Sequence, residues 1–408
     1  MNRGAVVAIL SMLFYFSSLL GGQAPQPVEP LVPAGQQQAL EVLGRRAELA
    51  LEALTVRAAP FAEAQALGVI KQDTEPVVIL DRQDGWYRIR PSSGPVGWVP
   101  EYGLRLLKEA PKEGGPMLLG LYEPESPAYE TLLQHSSHLT ALAPLGWSLG
   151  SGGQITANFD PVDMGRSLYF AGNQELLTFG HIQVPASPTQ LLASPQLKEQ
   201  ALRGLVQLTE EWGLKGLLVH LAYTPGPEQA DLFAFLTALR GELAARGRRT
   251  LISLPWQEGL DYGAAGRGAD FLLLHSSPGT QGPGPLAALP ELEAMLEAVT
   301  QTVDPGKIIL SLPTSGLDWT RTGTAQEISH GEALELAARH GAKIRWDASS
   351  MTPYFHYGTG REVWFENRYS LKYKLELVTK YRLGGAALSG LGQEDPAIWQ
   401  GAAANLIG

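Results

Sequence analysis

From Met117 onward, the apolar positions fall into short continuous runs set between longer stretches of helical period. The runs are Met117–Leu121, Leu142–Leu149, Glu175–Gly180, the segment around Leu217, Thr250–Leu254, Phe271–His275, Ile308–Leu312 and Ala386–Ser389. Continuous rather than alternating apolar residues mark strands buried on both faces, as in a parallel sheet covered by helices. Helices are predicted over Pro127–His138, Pro195–Trp212 and Glu228–Arg246. Such alternation predicts an α/β fold, a parallel (β/α)8 barrel spanning 117–408. Between its last two strands, residues 317–365 read as a small α+β insertion with one helix (Glu327–His340) and about three strands.

Upstream the period changes to two. In residues 54–107, LTVRAAP, GVI, PVVILD, GWYRIR and VGWVP are short strands separated by turn signals, with Trp86, Arg88 and Arg90 alternating with Tyr87 and Ile89. That pattern predicts a small all-β barrel, joined to the larger domain by the linker KEAPKEGGP, residues 108–116. Residues 25–53 read as a Pro/Gln/Gly-rich linker followed by a short Leu/Ala helix, Ala39–Ala53.

Composition narrows the setting. With 408 residues, 44% of them hydrophobic, the chain can bury a barrel of about 250 residues and a second domain. A net charge of -10 argues against nucleic acid and against an anionic membrane surface as partners. Asn2 and Arg3 precede an apolar run from Ala5 to Leu20 and the small residues Gly21, Gly22 and Ala24. Residues 1–24 therefore read as a secretory signal, or as an uncleaved anchor, because Pro25 hinders cleavage after Ala24. The expectation is an exported, envelope-associated or extracellular protein that meets a membrane only through this segment. The absence of cysteine removes any lipobox or disulfide framework.

The segment Gly213–Tyr223, GLKGLLVHLAY, has the form of a buried barrel strand whose C-terminal end presents His220 and Ala222. It resembles the fourth strand of glycoside hydrolase family 18, whose pattern DGxDxDxE ends in the glutamate that protonates the leaving oxygen. Aligned on Gly216, the acidic positions fall on Lys215, Leu218, His220 and Ala222. PYFHY, REVWFEN, SLKYKLELVTKYRLGG and LGQEDPAIW, between Pro353 and Trp399, are similar in order and spacing to the C-terminal part of that family's branch of spore-cortex and cell-wall hydrolases. The resemblance covers roughly Met117–Trp399. It implies a TIM barrel with an α+β insertion walling one side of a cleft, and a substrate-assisted retaining mechanism that still needs one acid. Alanine cannot supply it, and losing a positioned general acid costs about 10²- to 10⁴-fold in rate.

Other cleft positions depart from the family pattern in the same direction. After strand six stand His275, Ser277 and Pro278; after strand seven Pro313, Thr314, Ser315 and Gly316, with no tyrosine. The tryptophan that floors the sugar site in the family aligns with Ser389, which cannot replace aromatic stacking. The expected cleft lining is His181, His220, His275, Ser277, Ser315, Trp319 and Ser389. Asp318 and Asp160 are the fallback acids, while Asp347, Glu394 and Asp395 read as turn or capping residues. No cofactor and no metal are expected, although His181, His220 and His275 could bind Zn²⁺ if their rings converged.

Residues 54–107 resemble bacterial SH3 domains, which implies a groove for wall peptide around Trp86, Tyr87, Trp98 and Tyr102, with Trp86 anchoring the small core. The combined expectation is a non-catalytic protein binding cell-wall glycan, wall peptide or another envelope protein. The alternative is a hydrolase of β-1,4-linked N-acetylglucosamine polymers, peptidoglycan or chitin, with a relocated acid or a metal.

Overall fold

A computed structural model describes residues 40–72, 75–107, 115–124, 128–222, 225–276 and 282–401. The signal or anchor segment, the linker before residue 40, most of the second linker, and Ser277 and Pro278 lie outside the described residues. No helix among the described residues is long and apolar enough to cross a membrane.

The N-terminal sheet comprises β1 (Arg46–Leu49), β2 (Ala53–Arg57), β3 (Ala66–Lys71), β4 (Val77–Gln83), β5 (Trp86–Arg90), β6 (Gly97–Pro100) and β7 (Leu104–Leu106). Their order is β3-β2-β6-β5-β4-β1-β7, and every pairing is antiparallel. The helix expected at Ala39–Ala53 does not form. A turn at 41–44 leads instead into β1, where Ala47 and Leu49 enter the core and Glu48 does not. Gly44 explains the break. It has φ +80°, and a Cβ there would collide with the Phe170 carbonyl. The small core contains Ala47, Leu54, Val56, Ile79, Tyr87, Ile89 and Val99. Trp86 does not anchor it, because the strand alternation puts Tyr87 inside and Trp86 on the opposite face. Tyr87, 8% exposed, is a core residue and not part of a groove.

The barrel strands are β8 (Met117–Tyr122), β9 (Ala141–Leu149), β11 (Leu177–Val184), β12 (Gly216–Leu221), β13 (Arg249–Pro255), β14 (Phe271–His275), β15 (Ile308–Pro313) and β21 (Gly385–Ser389), with a short β10 (Ile155–Ala157) on β9. The eight are parallel, and β8 pairs with both β9 and β21, so the sheet closes on itself. Helices α1 (Ala128–His135), α2 (Pro161–Asn173), α3 (Thr189–Ala193), α4 (Pro195–Glu211), α5 (Gln229–Ala244), α6 (Tyr262–Arg267) and α7 (Leu289–Val299) cover it.

The insertion is an antiparallel sheet of five strands rather than about three: β16 (Gly316–Trp319), β17 (Ala325–Ile328), β18 (Arg345–Asp347), β19 (Thr352–Tyr357) and β20 (Arg361–Phe365), ordered β17-β16-β20-β19-β18. Its helix α8 (His330–His340) starts later than expected. Glu327 lies in β17, and Ser329 with Glu332 forms a capping box that fixes the helix start. Phe355, Val363 and Phe365 pack on α8. The last helix, α9 (Arg368–Tyr381), returns the chain to β21. Lys374 on α9 is fully buried and ion-paired with Glu366, itself 1% exposed, and donates to Thr352 Oγ1 at 3.2 Å.

The two domains share an interface. Leu40, Leu43, Val78 and Leu80 join the hydrophobic cluster around the barrel. Asn173 Nδ2 donates to the carbonyls of Leu43 (2.7 Å) and Glu41 (2.9 Å), and Gln174 Nε2 donates to that of Gly44. Arg90 donates to the Leu133 carbonyl in the last turn of α1, where a cation opposes the helix dipole. Burial there lowers its pKa to about 10.

Candidate functional site at the barrel mouth

Side chains pointing into the barrel recur every second residue along each strand. Phe179, Leu218, Leu251, Leu273, Ile309 and Ala387 form the closed apolar interior. Two residues further toward the C-terminal ends, the same face carries His181, His220, Ser253, His275, Ser311 and Ser389. This layer holds imidazoles and hydroxyls and no carboxylate. Leu218 is core, and Lys215 lies exposed at the opposite end of β12. Ala222, one step beyond His220, is exposed and offers only a methyl group.

The histidines touch one another. The His181 and His220 rings meet edge-on at 5.6 Å, and His220 stacks on His275 at 5.7 Å. His220 Nδ1 is 3.0 Å from Ser253 Oγ, and His275 Nδ1 donates to the Ser276 carbonyl at 3.2 Å, which leaves Nε2 of His275 a bare acceptor. That nitrogen and both nitrogens of His181 are buried without a hydrogen-bond partner. Among the described residues, no three His, Asp or Glu side chains are grouped so as to hold a metal ion.

Burial, with repulsion from His220 second, lowers the His181 pKa to about 3. Burial lowers His275 to about 4 against the opposing bond to Ser276, and it lowers His220 as well. These rings are neutral in the folded protein at pH 7, whereas unfolded imidazoles take up protons near pH 6.5. Stability is therefore full above about pH 6.5 and falls as pH drops toward 4, by roughly 1.4 kcal/mol per pH unit for each histidine kept neutral. Urea unfolding at pH 7 and pH 5 should show the loss, and His181→Leu should reduce it by one histidine's share. Equal stability at the two pH values would contradict this account.

The remaining expected site residues separate. Ser389 stays at the mouth. Ser315, 2% exposed, turns away and donates to Glu327 Oε1 at 2.6 Å, so it does not line the cleft. Trp319 Nε1 donates to the Gly284 carbonyl, in the loop after β14, at 2.9 Å, which turns its face of the insertion sheet toward the barrel mouth. Asp318 points the other way. Register sets it beside Val363 on the α8 face, where Tyr357 (2.6 Å) and Arg361 (2.5 Å) donate to it. A carboxylate held there as an ion-pair partner cannot serve the mouth.

Asp160 caps α2, accepting from Val162 N at 2.7 Å. Asp347 accepts from Ser349 and Ser350 and Asp395 from Ala397 N, the turn and capping roles expected of them, whereas Glu394 accepts from Trp399 Nε1 and from Gly392 N. In the N-terminal sheet Trp86 and Trp98 are half-buried and Tyr102 is 77% exposed. Ser253 and Ser311 were not expected, although the repeated ISLP and LSLP segments put a serine at the same strand position in both.

Comparison with known proteins agrees with this geometry. A family model described as Glycosyl hydrolases family 18 matches residues 189–394, and one described as Bacterial SH3 domain matches residues 52–104. A Bacillus subtilis protein, YdhD, named as a candidate sporulation-specific glycosylase, is 31% identical over 215 residues, covering 48% of this chain and 51% of its own length. The cortical fragment-lytic enzyme of Bacillus anthracis is 25% identical over 233 residues, covering 52% and 54%. The chain thus spans about half the length of these curated relatives. Among solved structures, a chitinase from Chromobacterium violaceum superposes with a TM-score of 0.66 at 27% identity, covering 72% of this chain and 98% of that one.

Proposed function

This chain belongs to glycosyl hydrolase family 18, and on that premise we propose that it is an exported, catalytically silent member that binds cell-wall glycan and its attached peptide. One observation carries the reading. The layer at the strand ends, where the family mechanism needs acidic side chains, holds His181, His220, His275 and serines, and Ala222 stands at the acid position. Neutral imidazoles and hydroxyls hydrogen-bond a polar ligand without protonating a leaving oxygen. The engagement of Asp318 by Arg361 and of Asp160 at a helix cap removes the two nearest substitutes.

The lytic names of its relatives support a wall polymer as the ligand class, and the SH3-like sheet supplies a second contact. The test is co-sedimentation of the full chain with purified peptidoglycan, with released reducing ends measured in the same tubes. Retention without release is the expected result. Protein left wholly in the supernatant would sink the reading.

A further inference from the structure

The N-terminal sheet docks on the barrel in a definite register, and that register sets where its aromatic residues stand. Every barrel strand runs from base to mouth, so α1 and α2, which follow the first and second strands, begin at the mouth and descend. Arg90 of β5 contacts Leu133 and Ser136 at the lower end of α1, and Arg88 lies 3.4 Å from Glu130 in its first turn. Strand β5 thus climbs toward the mouth in the order Arg90, Arg88, Trp86. A strand rises about 3.3 Å per residue, so Trp86 stands about 7 Å above Arg88, while α1 begins only about 3 Å above Glu130.

The second helix gives the same answer independently. Gly44, bonded to Ile79, meets Phe170 and Gln174 near the lower end of α2, whereas Asp81, further along β4, is 3.6 Å from Arg166. Two more strand residues reach Gln83, a climb of about 7 Å that matches the five helix residues from Arg166 up to Pro161. The turn joining β4 to β5, with Asp84 and Gly85 at positive φ, is therefore level with the helix starts at the mouth rim. Glu101 N donates to the Gly85 carbonyl at 3.0 Å, which brings the exposed Tyr102 to the same level. Register also seats Pro100 beside Trp86, and Trp98 beside Arg88.

Resting on the wall-binding reading above, we propose that the N-terminal sheet and the barrel mouth form one continuous binding surface for a single peptide-bearing glycan strand. Tyr102, Trp86 and Trp98 extend the mouth on the side of the first two barrel strands. The occupant is an extended polymer because the two contact regions lie side by side on one rim and are held there by the shared hydrophobic cluster and the hydrogen bonds of Arg90, Asn173 and Gln174. A short fragment reaches one region, and a long strand reaches both.

The test uses the full chain and soluble peptidoglycan strands of graded length, from one disaccharide-peptide unit upward. Affinity is expected to rise by about 10²-fold or more once a strand spans both regions. Tyr102→Ala, at a site 77% exposed, should remove most of that gain, so that long strands lose far more affinity than the shortest fragment does. Affinity independent of length, or an equal loss in Tyr102→Ala at every length, would overturn the proposal while leaving wall binding intact. Failure to bind strands of any length would overturn both.

Discussion

Glu366→Ala is expected to cost about 3–5 kcal/mol of folding stability, the largest effect of any substitution considered for this protein. The reason lies in what remains. Lys374 is fully buried, and burial already pulls its pKa down against the raising effect of Glu366. Without the carboxylate, the ammonium keeps one hydrogen bond, to Thr352 Oγ1, and must either stay charged in an apolar site or give up its proton. The double change Glu366→Leu with Lys374→Met should recover most of the loss, because replacing both members of a buried pair by apolar residues is often close to neutral. Denaturant unfolding of the three variants measures this. A loss below about 1 kcal/mol in Glu366→Ala would mean that water reaches the lysine. The pair also ties the end of β20 to α9, so the single variant should loosen the insertion against the barrel.

The second large effect is on rate. Turnover of N-acetylglucosamine oligomers and of peptidoglycan by the unaltered chain is expected at the level of buffer alone. Ala222→Glu should raise it by about 10²-fold or more, the usual worth of a positioned general acid. Ala222 is exposed one step beyond His220, so a longer side chain has room to reach over the mouth. Ala222→Gln has nearly the same shape and no proton to give, which makes it the control. Release of reducing ends measures the rate. Equal rates in Ala222→Glu and Ala222→Gln would show that sugar does not seat beneath that position. Turnover by the unaltered chain would mean that some other group supplies the proton.

Much of this architecture is legible in the sequence because strands buried on both faces leave continuous apolar runs. Phe271–His275 matches to the residue, and the other barrel strands with stated bounds agree within one residue at each end, except the third, expected at Glu175–Gly180 and found two residues later at its start and four at its end. The helix expected at Ala39–Ala53 failed for a tertiary reason. Leu and Ala favour helix locally, but Gly44 must sit against Phe170, some 126 positions away in the chain, and no local pattern encodes that contact. Helix α2 carried a readable signal in Asp160 followed by Pro161, a cap with proline at the first helical position. The site divides in the same way. His181, His220, His275 and Ser389 follow from strand position alone, because every second residue faces inward. Which face Asp318 takes depends on pairing with β20, about 45 residues later, so its loss as a candidate acid becomes visible only in the folded sheet.

The seam of the barrel also sets an order of events in folding. Met117 and its neighbours hydrogen-bond to Gly385–Ser389, so the first barrel strand keeps an open edge until the chain has been made through Ser389. Such distant pairings close slowly, and unpaired edges are liable to associate in the meantime. The N-terminal sheet is under no such delay, because its β4–β5 hairpin turns on two residues. A preformed sheet gives α1 and α2 a surface to settle on while β8, the strand before α1, still waits for its last partner, so the SH3-like domain is placed to act as an internal template for the barrel.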